Sequence, residues 1–410
     1  MPKVNKRLII GSIFLPITIL MIACDERNHH SSEPPPLLYA DGELMLQLKN
    51  DFIDGKKDIM PLINKLNSCA NDLLDVGPFS VMQKGIVPPS GDKHDYISQG
   101  PYWWPDTTMA DGLPYIRRDG LVNPERAKFS DRQNLHDLIE ATELLSKGYF
   151  FSDDEKYAIK TADLLQSWFI SNDTKMNPNL EYGQGIPGIT KGRGIGIIET
   201  RTIGKIADAV VLIRNSPAWN DTLDNGMVGW FKEYLNWLLE SEKGTKESVH
   251  PNNHGTWYDV QAMSLAIFTG QDSIAAAIAE RAKSRRLDAH IMKDGSQPEE
   301  LARTVSFNYS TMNLQGLFQL AYLSKKVGVD LWNYKNSQGA TLEDALKFLI
   351  PTAIGKEEWA YEQIKPINPG ALTFHLFLAS KLFDSEYMKI ANMLPQNDSM
   401  DCQDVNLYFY

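Results

Sequence analysis

Between Asp131 and Leu394 the apolar residues of this chain recur at spacings of three and four, and almost nowhere at spacings of two. The stripe runs through 135–145, 155–169, 200–213, 223–239, 257–268, 274–287, 301–323, 342–349, 371–382 and 386–394. Such a chain cannot build a sheet protein, because a strand needs alternation to bury one face. It predicts an all-α fold: helices of ten to twenty residues in series, joined by Gly, Pro and Asn loops and stacked as hairpins. No strict internal repeat is visible, which argues against a short-period solenoid. With 410 residues, a closed or nearly closed ring of hairpins fits, and an irregular bundle is the alternative.

The first residues read differently. Lys3, Lys6 and Arg7 precede an apolar run that ends Met21-Ile22-Ala23-Cys24. The run is short for a spanning helix and has the charge order of a secretory signal. Its end resembles a bacterial lipobox, which implies cleavage before Cys24 and a lipid on its thiol. The expected organisation is a signal over 1–23, a lipidated Cys24 with a polar, Pro-rich tether to residue 36, and one domain over 37–410. Residues 37–74 read as two helical segments. The expected location is beyond the inner membrane, periplasmic or at the cell surface, held by an outer-membrane lipid anchor. Cys69 and Cys402 remain; they either pair or stay free, and no zinc-type spacing exists.

The formal net charge of -11 argues against a nucleic-acid partner. It leaves room for a polyanion held by a local cluster of cations. Two stretches offer such cations. Residues 94–125 are too rich in Pro and Gly for any periodic element, yet carry Tyr102, Trp103, Trp104, Arg117 and Arg118. Aromatic faces suit sugar rings and arginine forks suit carboxylates. The glycine-rich segment 177–201 supplies Lys191, Arg193 and Arg201 as a candidate anion rim. It lacks the Gly-Lys-Ser/Thr ending of a phosphate loop and no strand precedes it, so no nucleotide is expected.

Chemistry concentrates in two further runs. In HPNNHGTWY, residues 250–258, Asn252 or Asn253 caps the helix that follows. His254 then sits in its first turn, where the dipole disfavours an imidazolium and a neutral base is available. Fifty residues on, Arg303, Ser306, Tyr309 and Asn313 are spaced to share one helix face. A buried polar network is the alternative for that stripe. Asn, His, Arg and Tyr together suit β-elimination on a uronic acid. The C5 proton is acidic only when the adjacent carboxylate is neutralised, for which Arg303 and Asn253 serve. A base at C5 falls to Tyr309 or His254, and an acid at O4 to a tyrosine hydroxyl, with Tyr309 able to do both.

The runs NNHGTW (252–257), QPEELARTVSFNYS (297–310) and DYISQGPYWWPD to GLPYIRRDGLVNPE (95–125) resemble the alginate-lyase-like polysaccharide lyases, over residues 80 to 380. The resemblance implies an (α/α) toroid of six or seven hairpins acting on alginate or a related polyuronate, with no metal or other cofactor required. It maps that family's Asn-His pair to Asn253 and His254, and its Arg and Tyr to Arg303 and Tyr309. Trp103, Trp104, Tyr102, Arg117, Arg118, Arg201, Lys191 and Asn313 are then substrate contacts. Mannuronate-containing alginate is the expected substrate; glucuronan is the alternative within the class. Two other readings compete. A glycoside hydrolase would need two facing carboxylates from Asp106, Glu199, Asp294 and Glu299, and a non-catalytic glycan binder would need only the aromatic cleft.

Overall fold

The computed structural model describes residues 33–395 and 401–402. The expected signal over 1–23 and Cys24 lie outside the described residues, as does most of the expected tether. From Pro34 onward the chain forms one unit.

Two classes of helix build it. One class is amphipathic: α1 (Gly42–Ile53), α2 (Met60–Asp72), then, after a long non-helical passage, α4 (Glu155–Leu165), α6 (Asp221–Glu240), α9 (Asp272–Ala282) and α12 (Leu342–Ala353). The other class is buried on more than one side: α3 (Asp131–Ser152), α5 (Gly204–Ile213), α8 (Asn253–Phe268) and α11 (Ser306–Lys326). In α8 every residue from Gly255 to Ala266 is buried, which only a helix walled in on all sides can show. The buried helices touch in the order α3, α5, α8, α11, and each carries an amphipathic helix outside it. This is the all-α toroid, an inner wall of helices inside an outer one. The short helices α7 (Glu242–Ser248), α10 (Pro298–Leu301), α13 (Thr373–Leu382) and α14 (Glu386–Ala391) complete the set.

The strands are minimal. Ile97–Gln99 (β1) pairs in parallel with Tyr182–Gly185 (β4), and Trp103–Trp104 (β2) pairs antiparallel with Ile116–Arg117 (β3). β1 is held to the first turn of α3: Asp131 accepts from the Ile97 amide at 3.0 Å and from Lys84 Nζ at 2.6 Å, in a pair removed from solvent.

Two ties close the chain on itself. The amides of Leu38, Tyr39 and Ala40 all donate to Asp208 on α5, and Gln319 on α11 donates to the Leu38 carbonyl. The segment before α1 therefore bridges two inner helices. A disulfide joins Cys69 on α2 to Cys402, so these two cysteines are paired.

The expected continuous helix over 301–323 is interrupted. Residues 302–305 turn between α10 and α11, and Val305 bridges to Gln363. Arg303 therefore precedes the helix that carries Tyr309. The glycine-rich segment also has a different cause from close approach to a ligand. A Cβ on Gly192 would stand 2.0 Å from the Glu181 carbonyl oxygen, and one on Gly196 would stand 2.5 Å from the Gly183 carbonyl carbon. The glycines let backbone pack on backbone.

Candidate active site

At one mouth of the ring lies a cleft of about 620 Å³. One shore is the start of α8 with the turn into α11, and the other is the ribbon β2–β3 and the loop around β4. Arg117, Arg126, Arg132, Arg193, Arg201, Arg303 and Lys365 line it, against two carboxylates, Glu199 and Glu299. An acidic protein thus keeps a strongly cationic pocket, suited to a polyanion.

The α8 side is built from buried supports. Asn252 is the N-cap and accepts from the His254 amide. The turn before it is clamped by Arg286, which is 1% exposed and binds Asp259, the Ser248 carbonyl and the His250 carbonyl. Removing one partner of such a buried pair costs about 3–5 kcal/mol. Gly255 is required here, because a Cβ would meet the His250 carbonyl oxygen at 2.2 Å and Arg286 at 2.5 Å. His254 places Nδ1 2.6 Å from the buried carboxylate of Glu247. Nδ1–H donates to Glu247, which leaves Nε2 as the lone-pair nitrogen able to take a proton. His250 stands beside it, ring centroids 5.3 Å apart, and burial pushes its imidazole down.

Across the cleft the Tyr309 hydroxyl meets the Tyr102 hydroxyl at 2.7 Å. The Arg303 guanidinium lies 3.8 Å from the centre of the Tyr309 ring. Burial first, then Tyr102, pushes the Tyr309 phenol up, while Arg303 pulls it down. The resting side chain is the neutral phenol, a proton donor.

Arg303 is anchored on Asp119. Its Nε and one terminal nitrogen bind both oxygens of Asp119, at 3.0 and 2.8 Å. Burial works against its charge, and the Asp119 hydrogen bonds outweigh it, so its pKa is raised. That fork uses two of the five N–H donors of Arg303, which lines the cleft and also covers the Tyr309 ring. Asn253 is also anchored. Its amide nitrogen donates to one oxygen of Glu300 at 2.8 Å and its backbone N–H to the other at 2.6 Å.

Of the remaining expected contacts, Tyr102, Trp103, Arg117 and Arg201 line the cleft. Trp104 and Arg118 do not. In the register of the ribbon Trp103 faces Arg117 and Trp104 faces Ile116, and successive residues of a strand point to opposite sides. Trp104 and Arg118 therefore pair with each other on the far side, 5.4 Å apart. Lys191 is exposed over a separate groove with Ile189 and Lys243, while Arg193, two residues on, reaches the cleft. Asn313 is fully buried and donates to Gln297, and Ser306 donates to the Glu362 carbonyl. Those two belong to a buried polar network, not to the cleft wall.

Several cleft residues carried no signal in the sequence. Arg126 and Arg132 flank the start of α3, and Lys365 comes from the return segment after α12. Gln184 sits at φ +48° with its side-chain oxygen held by Arg193 at 2.8 Å. Burial and the neighbouring Arg117 push Arg193 down to about 10. Glu247 lies on a different helix from His254, seven positions before it, and Glu300 lies 47 positions from Asn253. Only Asp119 had a visible cue, an acid following two arginines in a loop. Of the four carboxylates a hydrolase could draw on, only Glu199 and Glu299 line the cleft. Asp106 and Asp294 cap local turns at Thr108 and Ser296. Glu199 is engaged by Tyr96 and Ser98.

The alginate lyase family description matches residues 80–359. The crystal structure of an alginate lyase from Bacteroides ovatus is 38% identical, covers 92% of this chain and 99% of its own, and superposes with a TM-score of 0.86. A histidine-to-alanine variant of alginate lyase A1-III complexed with tetrasaccharide is 14% identical, with a TM-score of 0.54 over 92% of this chain and 96% of its own. A tyrosine-to-phenylalanine variant of the same enzyme, also complexed with tetrasaccharide, is 15% identical, with a TM-score of 0.53 over 89% and 98%. The A1-III enzyme is from Sphingomonas species A1, and at these identities the likeness is one of fold. No curated protein matches. A family match over most of the chain, a close structural relative and a cation-lined cleft agree: this chain belongs to the alginate lyase family and is a polysaccharide lyase.

Proposed function

We propose that the chain cleaves alginate, mannuronate-containing polymer first, by β-elimination. The observation that carries this reading is one meeting point. The neutral Tyr309 hydroxyl, bonded to Tyr102 under Arg303, shares a cationic cleft with the His254–Glu247 pair. A base removes the C5 proton, the electron pair forms the C4–C5 double bond, and the C4–O4 bond breaks as its oxygen takes a proton. The product is a 4,5-unsaturated uronate at the new non-reducing end. In guluronate the C5 proton and O4 lie on opposite sides of the ring; His254 Nε2 takes the proton and Tyr309 gives its own to O4. In mannuronate they lie on one side: Tyr309 first passes its phenolic proton to His254 Nε2, and the tyrosinate then takes the C5 proton and hands it to O4. That tyrosinate is stabilised by the Tyr102 hydroxyl and by Arg303.

The test is ultraviolet absorbance with polymannuronate, polyguluronate and glucuronan in parallel. A rise shows the conjugated uronate and names the substrate. Shortening of the polymer without absorbance, or binding alone, would overturn the reading in favour of a hydrolase or a binder.

Export and a lipid anchor at Cys24 complete the proposal, with residues 37–410 as one catalytic unit. The charged start, the apolar run and the cysteine at its end support this. The Cys69–Cys402 disulfide fits an oxidising compartment. Fatty-acid labelling that is lost in Cys24→Ser is the expected result; labelling that persists would sink the anchor.

A further inference from the structure

Neutralising a uronate carboxylate requires a donor, and Asn253 offers the wrong end of its amide. Its Nδ2 is given to Glu300, and its buried Oδ1 has no hydrogen-bond partner among the described residues. Asn253 lines the cleft, and in this orientation its amide offers a carboxylate no side-chain N–H. The cause is Glu300. An ionised carboxylate only accepts, so it captures both the amide nitrogen and the backbone N–H of Asn253. A protonated Glu300 can instead accept the backbone N–H on one oxygen and donate from the other. Its donation would go to Oδ1, and the amide would turn to present N–H groups to the cleft.

We propose that Glu300 is a positioning residue that sets the polarity of Asn253: neutral, it donates to Oδ1 and aims the amide N–H groups at the uronate carboxylate; ionised, it holds them back. This rests on the cleft being the uronate site. Glu300 is 1% exposed, on the short helix α10 facing the first turn of α8. The titratable groups facing it are Arg303, from the turn after α10, and His254, from α8; Arg303, and His254 when protonated, favour the carboxylate, and Glu299 precedes it on its own helix. Burial outweighs them and the Asn253 hydrogen bonds, and pushes the Glu300 carboxyl up to about 7. Near neutral pH the residue can therefore be found in either state. A bound uronate adds negative charge beside it, so substrate itself draws the proton on.

The decisive variant is Glu300→Gln. Its oxygen accepts the Asn253 backbone N–H and its NH₂ donates to Oδ1, a permanent copy of the neutral acid. Wild type is expected to lose kcat/KM on alginate about tenfold per pH unit above its titration point. Glu300→Gln lacks that fall and exceeds wild type about tenfold near pH 8, whereas Glu300→Ala is impaired at every pH. Parallel profiles for wild type and Glu300→Gln, or a Gln variant as impaired as the Ala variant, would overturn the proposal. Should Glu300→Gln not fold, infrared spectroscopy of wild type decides. A protonated carboxyl band that titrates near neutrality and shifts to higher pH with added alginate tetrasaccharide is expected; a band indifferent to the sugar refutes it. Failure of the functional reading looks different, with no absorbance rise in wild type. The Glu300 proposal is then judged on tetrasaccharide affinity, which should weaken with pH in wild type and not in Glu300→Gln.

Discussion

The two shores of the cleft are made in opposite ways. The shore that bears His254, Asn253 and Tyr309 stands on the ends of α8 and α11, helices walled into the ring. The shore that bears Tyr102, Trp103 and Arg117 is a ribbon of two-residue strands in a loop with four prolines. On the helical shore the two α8 groups each have a carboxylate behind them: Glu247 behind His254, Glu300 behind Asn253. The loop shore presents its cations more openly, with Arg117 paired to Asp119 and half-exposed. The difference separates two jobs. Proton transfer demands fixed geometry, which buried supports supply. Holding a flexible polymer demands charge and aromatic area, which a loop can supply. Tyr102 and Asp119 cross between the two, one to the Tyr309 hydroxyl and the other to the Arg303 fork.

The largest test of this division is Tyr309→Phe. Loss of the phenolic proton should lower kcat on alginate by about 10³-fold, with an unchanged melting curve. An active Phe variant would remove the chemistry from the helical shore. Asp119→Asn probes the crossing point. Releasing the Arg303 fork should cost about 10²-fold in kcat and leave KM within about twofold, measured by initial rates. A loss confined to KM would mean that Asp119 belongs with the holding groups. Trp103→Ala probes the loop shore alone and should raise KM about tenfold while sparing kcat. Trp104→Ala and Lys191→Ala are the smallest changes, each within about twofold in kcat/KM, because neither side chain reaches the cleft. A tenfold loss in either would show that the polymer runs past the cleft and onto the outer face of the loop.

The helical shore was the more legible in sequence. Spacing of three and four announced the helices, and the asparagine before His254 announced the start of α8 as a site wall. What spacing could not announce was where a helix stops. The spacing of Arg303, Ser306, Tyr309 and Asn313 keeps a helical period across the turn at 302–305, which puts Arg303 on one face with Tyr309 in the sequence although it precedes the helix. Buried carboxylates were equally silent. Glu247 lies on a different helix from His254, and Glu300 meets Asn253 across 47 positions of chain. The loop shore gave its composition away, but not its sides. Trp103 and Trp104 read alike until the two-residue pairing with Ile116 and Arg117 turns one inward and the other out. Similarly, Lys191 and Arg193 are equal as cations in the sequence, and only the path of the backbone between them decides which one meets a ligand.

The bond between Cys69 and Cys402 spans 333 positions. Everything between them, including both shores, is covalently a circle. A protease that cuts one exposed loop inside it, such as the aromatic loop at the cleft mouth, opens the circle without dividing the molecule. The two halves of the catalytic apparatus stay on one strand of covalent bonds until the sulfurs are reduced. A singly nicked enzyme should therefore migrate as two fragments only in the presence of a thiol. In an environment rich in proteases, that linkage lets a cut loop fall back into place in a ring that has not come apart.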